Sequence, residues 1–410
     1  MNDSSGDFLM RRFRDLAALV LVVAVAAGCN NNSTGGGGGG EGGRGNAATG
    51  NTIPVGAYVS ATGDEATFGS QTQQGVELAV EELNGAGGIN GKKITLDVEN
   101  DESDASKAEN AVNKLINGDH DVAVLGEVAS SRSLAAAPVC QKAHVPMISP
   151  SSTNIKVTQV GDYIFRCCFI DPFQGYVTAK FAHDNLHKNT AAILTDSSSA
   201  YSRDFGAEFK KTFQQMGGKV VAEAFYSTTD TDYKAELSKI KDANPEVLLV
   251  PGYYKSVGAI AKQSRELGMN VVMLGGDGWD SPDLFVTAGD ALEGAYFSDH
   301  QDMNSKAPIV AKFVADFEKK FPNAGRPGAL TCLAYDGMMI LGNALKHAKT
   351  LDGPGIRDAI AGTKNFPGVS GTITIDRDRN ADKPAVILQV QGKSFKYITT
   401  IQSPQTAATK

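Results

Sequence analysis

What most limits the fold of this chain is an alternation between two hydrophobic periods, sustained over more than two hundred residues. Short apolar runs of buried-strand type exchange with longer stretches that are apolar on one face at helical spacing. Residues 53–59 read as a strand and 70–84 as a helix with Val76, Ala79, Val80 and Leu83 on one face. Gly85, Gly87 and Gly88 stop that helix, and 93–99 is the next strand. Helix 105–117 leads to strand 122–125, helix 131–142 to strand 145–148, and strand 163–169 closes the series. A second series follows: helix 173–187, strand 191–194, helix 203–216, strand 220–225, helix 233–242, strand 247–250, helix 256–267 and strand 271–274. Strict alternation predicts an α/β protein with parallel sheets covered on both faces. Two successive series predict two Rossmann-like lobes with a cleft between their sheet edges.

Past residue 274 the alternation lapses. Helices 307–321 and 329–349 follow one another, and the end reads as three strands joined by polar turns. The run Asp376-Arg-Asp378-Arg-Asn380 imitates the start of a calcium loop. Ala381 stands where glycine is needed and Ile387 where the bidentate glutamate belongs, so a hairpin turn is the better reading.

Two turns in the first series are dense in hydroxyls. In GEVASSRSLAAAPVCQKAHVPMISPSST (126–153), Ser130 and Ser131 follow one apolar run, and Ser149, Ser151, Ser152 and Thr153 follow another. Parallel strands would place both turns at one carboxyl edge, where open α/β sheets hold ligands. Hydroxyls and helix N-terminal N–H groups together suit a carboxylate. Each turn alone is equally an ordinary helix cap.

The N-terminus carries an address. Arg11, Arg12 and Arg14 precede an apolar run over 16–27, and Ala-Ala-Gly-Cys follows at 26–29. That order describes a secretory signal, too short to span a membrane stably. It resembles a bacterial lipobox, with 1–28 removed and Cys29 lipidated. The acidic residues ahead of Met10 are foreign to a signal, so either Met1 or Met10 could start translation. Residues 29–52 are nearly all Asn, Ser, Thr and Gly, a flexible tether between anchor and domain.

Composition excludes several functions. The net charge of −7, without a basic cluster, argues against a nucleic-acid surface. Cys140, Cys167, Cys168 and Cys332 form no CxxC pair or Cys/His ligand spacing, so no zinc site is expected and the thiols read as small buried hydrophobes. No cofactor motif occurs: GxSxG, GxxxxGK[ST] and GxGxxG after the first strand are all absent. The six histidines are scattered, His183 and His187 lack the glutamate of a zinc protease, and Ser130 has no base in its motif. Catalysis is not expected.

The opening VGAYVSATGDEATFGSQTQQGVELAVEELNGAGGINGKKI resembles that of the bacterial leucine/isoleucine/valine-binding proteins. YIFRCCFIDPFQG (163–175), GDGWDSPDLFVTAGDALEGAYF (276–297) and FPGVSGTITID (366–376) extend the resemblance over 53–398. That family implies a type I periplasmic-binding-protein fold, a three-strand hinge and an extracytoplasmic solute-binding component of an ABC importer. It implies lobe one at 53–171 with 299–371, lobe two at 172–298 with 372–400, and a tail at 401–410. Its partners would be a small-molecule ligand, an L-amino acid above all, and an ABC permease, with the protein itself a monomer. By resemblance Ser130, Ser151 and Thr153 take the ligand carboxylate, and Asp277, assisted by Asp171, takes the ammonium. Tyr201 and Tyr253 close on the ligand, while Phe68 and Trp279 fall where side-chain-pocket aromatics occur.

Departures from the pattern widen the ligand class. Asp277 replaces a glutamate, Phe68 a tyrosine, and Ala129 one cysteine of a lobe-one disulfide. Relatives of this kind also bind amides and aromatic acids, and a sensor that presents its ligand to a signalling receptor is the alternative role.

Overall fold

The computed structural model describes residues 45–403. The signal expected at 1–28, the lipidation expected at Cys29, most of the expected tether and residues 404–410 lie outside the described residues. The described end of the tether is not free coil, contrary to the sequence expectation. Asn46 donates to the carbonyls of Ile116 (2.8 Å) and Asp121 (2.9 Å), and the Ala48 N–H bonds Leu351 O at 3.0 Å. A short polar segment holds this course because each bond satisfies a backbone group that would otherwise be orphaned.

The first sheet contains β1 (Thr52–Val59), β2 (Lys93–Asn100), β3 (Val124–Leu125), β4 (Met147–Ser149) and β5 (Ile164–Arg166), all parallel, in the order β2-β1-β3-β4-β5. The second begins with β6 (Thr190–Asp196), β7 (Lys219–Tyr226), β8 (Val247–Leu249), β9 (Val272–Gly275) and β10 (Tyr296–Asp299), whose order β7-β6-β8-β9-β10 repeats that arrangement. A small antiparallel sheet follows, of β11 (Phe366–Gly368), β12 (Gly371–Ile375) and β13 (Ala381–Asp382). The chain then returns to the second sheet with β14 (Ala385–Gln391) and β15 (Ser394–Ile401), an antiparallel pair beside β10. The Asp376–Asn380 run is the β12–β13 turn: Asp376 accepts from the N–H groups of Asp378 and Asn380, as a turn aspartate does.

The inner strands of each sheet are covered on both faces, and their apolar residues divide between the two faces. In β1, Val55 faces the helices Ala66–Gly85 and Ala329–His347, while Tyr58 faces Ala105–Asn117 and Ser130–Ala143. In β8, Leu248 and Leu249 divide between the two faces in the same way. Helix starts are local decisions. Asp104 accepts from the N–H groups of Ser106 and Lys107, a cap that contributes about 1 kcal/mol.

Several boundaries differ from the periodicity. β5 is only three residues long, because Cys167, Cys168 and Phe169 leave the sheet to cross to the second lobe. The helix expected at 173–187 starts at Asp171 and widens after Lys180 into a π turn, Phe181–Asn185. β10, β11 and the helix Gly353–Ala361 carry too short a pattern to be read from sequence. The chain passes between the two lobes three times: after β5, after β10 to helices that pack on the first lobe, and between β13 and β14. All four described cysteines are buried and free.

Candidate functional site

In each sheet the connections reverse direction beside the first strand, between β1 and β3 and again between β6 and β8. Ligands of open α/β sheets bind in the crevice at that point. The helix after β3 starts at Ser130, the helix after β6 carries Tyr201 in its first turn, and the loop after β8 carries Tyr253.

Ser130 opens the helix Ser130–Ala143 and is 1% exposed; its Oγ accepts from the Asn154 N–H at 3.2 Å, leaving its own proton to donate. Beside it, the Ser151 hydroxyl is buried with no hydrogen-bond partner among the described residues, and the buried Thr153 hydroxyl faces the Asp171 carboxyl. Buried hydroxyls are ordinarily satisfied, so the unpartnered Ser151 hydroxyl marks a place for a polar ligand. The other serines are spent on structure. Ser149 and Ser152 both donate to Glu127 O at 2.8 Å, and Ser152 also meets Ser133 Oγ at 2.8 Å. Ser131 accepts the Ala200 N–H at 3.1 Å, a bond from lobe one to the start of the lobe-two helix Ala200–Gln215.

Arg166, which is fully buried, fixes the second turn by donating to the carbonyls of Ser152 (2.5 Å) and Asn154 (2.6 Å). The first turn is pinned by Arg132, whose guanidinium bonds Glu127 and Glu65 at 3.0 Å each. Asp101 completes that cluster 3.7 Å away, and burial followed by the Glu127 charge pushes its carboxyl up to about 7. Across the cleft, Asn154 donates to Ala200 O at 3.0 Å and to Asp204 at 2.8 Å.

Asp171 begins the helix Asp171–Lys180 yet caps nothing, and its buried carboxyl faces the Thr153 hydroxyl. Burial raises its pKa well above the usual carboxylate range; the Thr153 hydroxyl opposes that shift, and the Asp277 charge adds to it. Asp277, 5% exposed, follows β9: Oδ1 accepts from Gln174 Nε2 at 2.7 Å, and Oδ2 lies 3.1 Å from His300 Nε2. Glycine at 276 is required by close approach, since a Cβ there would meet Gln174 Nε2 at 2.6 Å and the Tyr201 hydroxyl at 2.7 Å.

Tyr201 and Tyr253 stack with ring centroids 5.3 Å apart and planes 6° from parallel. Phe68, fully buried on the lobe-one side, meets Tyr253 edge-on at 5.7 Å. Burial raises the Tyr201 pKa well above its ordinary value, helped by the charges of Asp277 and Asp171. Trp279 stands apart: it is fully enclosed with Phe297 in the core and donates its indole N–H to Val250 O at 3.1 Å. Sequence reasoning missed Asn154, Arg166, Gln174 and His300. Arg166 left one signal, a charged residue within an otherwise apolar strand.

The chain matches the family model described as periplasmic binding protein over residues 52–394. It belongs to the periplasmic binding protein family. A Brucella abortus protein named Leu/Ile/Val-binding protein homolog 2 is 33% identical over 326 residues, 79% of this chain and 86% of that one. Among solved structures, a leucine-binding protein from Thermotoga maritima is 34% identical with a TM-score of 0.82, covering 87% of this chain and all (100%) of that one. A branched-chain amino acid transporter substrate-binding protein from Streptococcus pneumoniae, in complex with isoleucine, is 30% identical with a TM-score of 0.81, covering 86% and 100%. This periplasmic binding protein is a ligand binder and not an enzyme. No helix among the described residues is long and apolar enough to cross a membrane.

Proposed function

We propose that this chain is the extracytoplasmic solute-binding component of an ABC importer and takes an amino acid of the branched-chain or small aliphatic/polar class between its lobes. Ser130, Ser151 and Thr153 receive the carboxylate, Asp171 and Asp277 the ammonium, and Phe68, Tyr201 and Tyr253 the side chain. One observation carries the reading. The buried Ser151 hydroxyl has no partner among the described residues. The buried Thr153 hydroxyl lies against the buried Asp171 carboxyl, whose charge interacts with that of Asp277, so donors and negative charge are brought together. A zwitterion satisfies both ends at once, and in a water-excluded site each charge-assisted bond gains strength. A simple carboxylate would leave Asp171 and Asp277 unneutralised, and an amine alone would leave the hydroxyls idle.

Groups on both lobes make the ligand favour the closed arrangement, the condition for ligand-driven closure. The test is a thermal-shift screen of the purified protein against the twenty L-amino acids, with benzoate and short amides beside them. The reading expects a rise of several degrees for at least one aliphatic or small polar amino acid and none for benzoate. A flat response to every amino acid overturns it. Deleting the permease genes encoded nearest this chain tests the importer role: uptake of the ligand should stop, and a loss of signalling with uptake intact would favour the sensor.

A further inference from the structure

Asp277 is held from two directions. Gln174, on the helix Asp171–Lys180, donates to Oδ1, and His300 Nε2 reaches Oδ2. His300 follows β10 on the second crossing between the lobes and is 2% exposed. Its ring stacks on Phe169 of the first crossing, with centroids 3.9 Å apart and planes 29° from parallel. Its backbone N–H bonds the Asp299 carboxylate at 2.7 Å, and its Nδ1 has no partner among the described residues. A carboxylate can only accept, so the proton on the neutral ring belongs at Nε2, and the partnerless Nδ1 is the bare nitrogen.

We propose that His300 is a positioning residue for the ammonium end of the site. Its neutral imidazole donates to Asp277 and leaves that carboxylate's charge to the ligand, whereas an imidazolium would neutralise Asp277 and compete with the ammonium. The inference rests on the amino-acid reading above. The donor is fixed by geometry rather than reach: Phe169 sets the ring plane and Asp299 the backbone, so Oδ2 is fully directed before a ligand arrives. That arrangement also answers the shorter Asp277. A side chain one methylene shorter than glutamate needs a fixed second donor to keep its remaining lone pairs facing the cleft.

The charged groups facing the imidazole are Asp277 from the turn after β9, Asp299 at the end of β10, and Lys383 from the third crossing. Burial holds the His300 pKa below its ordinary 6.5; Asp277 opposes the shift and Lys383 adds to it. The ring is therefore uncharged at neutral pH, and acidification loads it. Ligand affinity falls as the proton is gained, by up to about tenfold per pH unit, since one proton is exchanged for one ammonium.

Two measurements test this. First, imidazole nitrogen and carbon shifts of the ligand-free protein, assigned with His300→Gln, should show the neutral Nε2–H tautomer at pH 7.5. A charged ring or the Nδ1–H tautomer overturns the proposal, whatever the ligand proves to be. Second, L-isoleucine, L-valine and L-threonine are titrated calorimetrically from pH 8 to pH 5. Wild-type affinity should fall in acid. His300→Gln, which retains a donor near Nε2 without a proton to gain, should bind comparably at pH 8 and lose most of the fall. His300→Phe, which retains the stack and loses the donor, should bind at least about tenfold more weakly at pH 8. An unchanged acid fall in His300→Gln assigns the titration to Asp171 and overturns the proposal. If none of the probes binds at any pH, the amino-acid reading fails while the tautomer still decides the role of His300.

Discussion

The two halves of the candidate site are built by different means. The hydroxyl half comes from two turns within one segment, each at the carboxyl end of a neighbouring parallel strand, and its geometry is largely backbone geometry. The acidic half draws Asp171 from the first crossing and Asp277 from the turn after β9, with Gln174 and His300 arriving from elsewhere. A turn can be built from neighbours. A buried carboxylate has to be supplied with donors or left under electrostatic strain, and here Asp277 is gripped by Gln174 and His300 while Asp171 meets the Thr153 hydroxyl.

That contrast sets the order of expected effects. Asp277→Asn removes the directed charge and should weaken amino-acid binding by about a hundredfold or more, the usual scale for one partner of a buried charge pair. Calorimetry decides, and affinity within a few-fold of wild type would leave the ammonium on Asp171 alone. Because Gln174 and His300 both bond Asp277, the variant should also lose some ligand-free stability, unlike a residue that met only ligand.

Ser151→Ala and Thr153→Val come next. Each should cost about 1–2 kcal/mol of binding. The Ser151 hydroxyl has no partner among the described residues, so its loss should change the ligand-free melting temperature almost not at all, whereas Thr153→Val, which strips a hydroxyl from the Asp171 carboxyl, should lower it slightly. Ser152→Ala should reverse that pattern: its hydroxyl bonds Glu127 O and Ser133, so the loss of about 1–3 kcal/mol appears in the melting temperature. Equal behaviour of the two groups would erase the distinction between ligand-facing and structural serines.

Asp171→Asn isolates the strained carboxylate. Its folded pKa lies above the unfolded value of 3.8, so the native state binds the extra proton and this group's contribution to stability falls as pH rises past 3.8. The ligand-free asparagine variant should therefore melt higher than wild type at pH 8, and the gain should shrink as pH approaches 4. A gain independent of pH would trace to packing instead. The smallest effect on binding belongs to Cys29→Ser: affinity and melting temperature unchanged, with the protein moving from the membrane fraction to the soluble one.

Much of this was legible beforehand. The βα alternation specified parallel, doubly covered sheets because strands buried on both faces must be continuously apolar. Ser130, Ser151 and Thr153 could be placed together because their two turns follow successive strands. Trp279 reads equally well as core or pocket in sequence, and the structure encloses it against Phe297 with its N–H spent on Val250. His300 and Gln174 gave no sequence signal, since 103 positions separate Gln174 from Asp277 and their meeting depends on how the lobes are joined.

By itself, then, the sequence determined the layered α/β architecture, the two-lobe order and the hydroxyl turns, all properties of local periodicity and of loops that end strands. Tertiary structure alone decided which serines remain unpartnered, that Asp171 is buried against the Thr153 hydroxyl, and that Asp277 is gripped by Gln174 and a histidine on the second crossing. The physical reason is range. Periodicity and turn chemistry act over a few residues, whereas desolvation and hydrogen-bond satisfaction depend on every chain segment that reaches the same few ångströms.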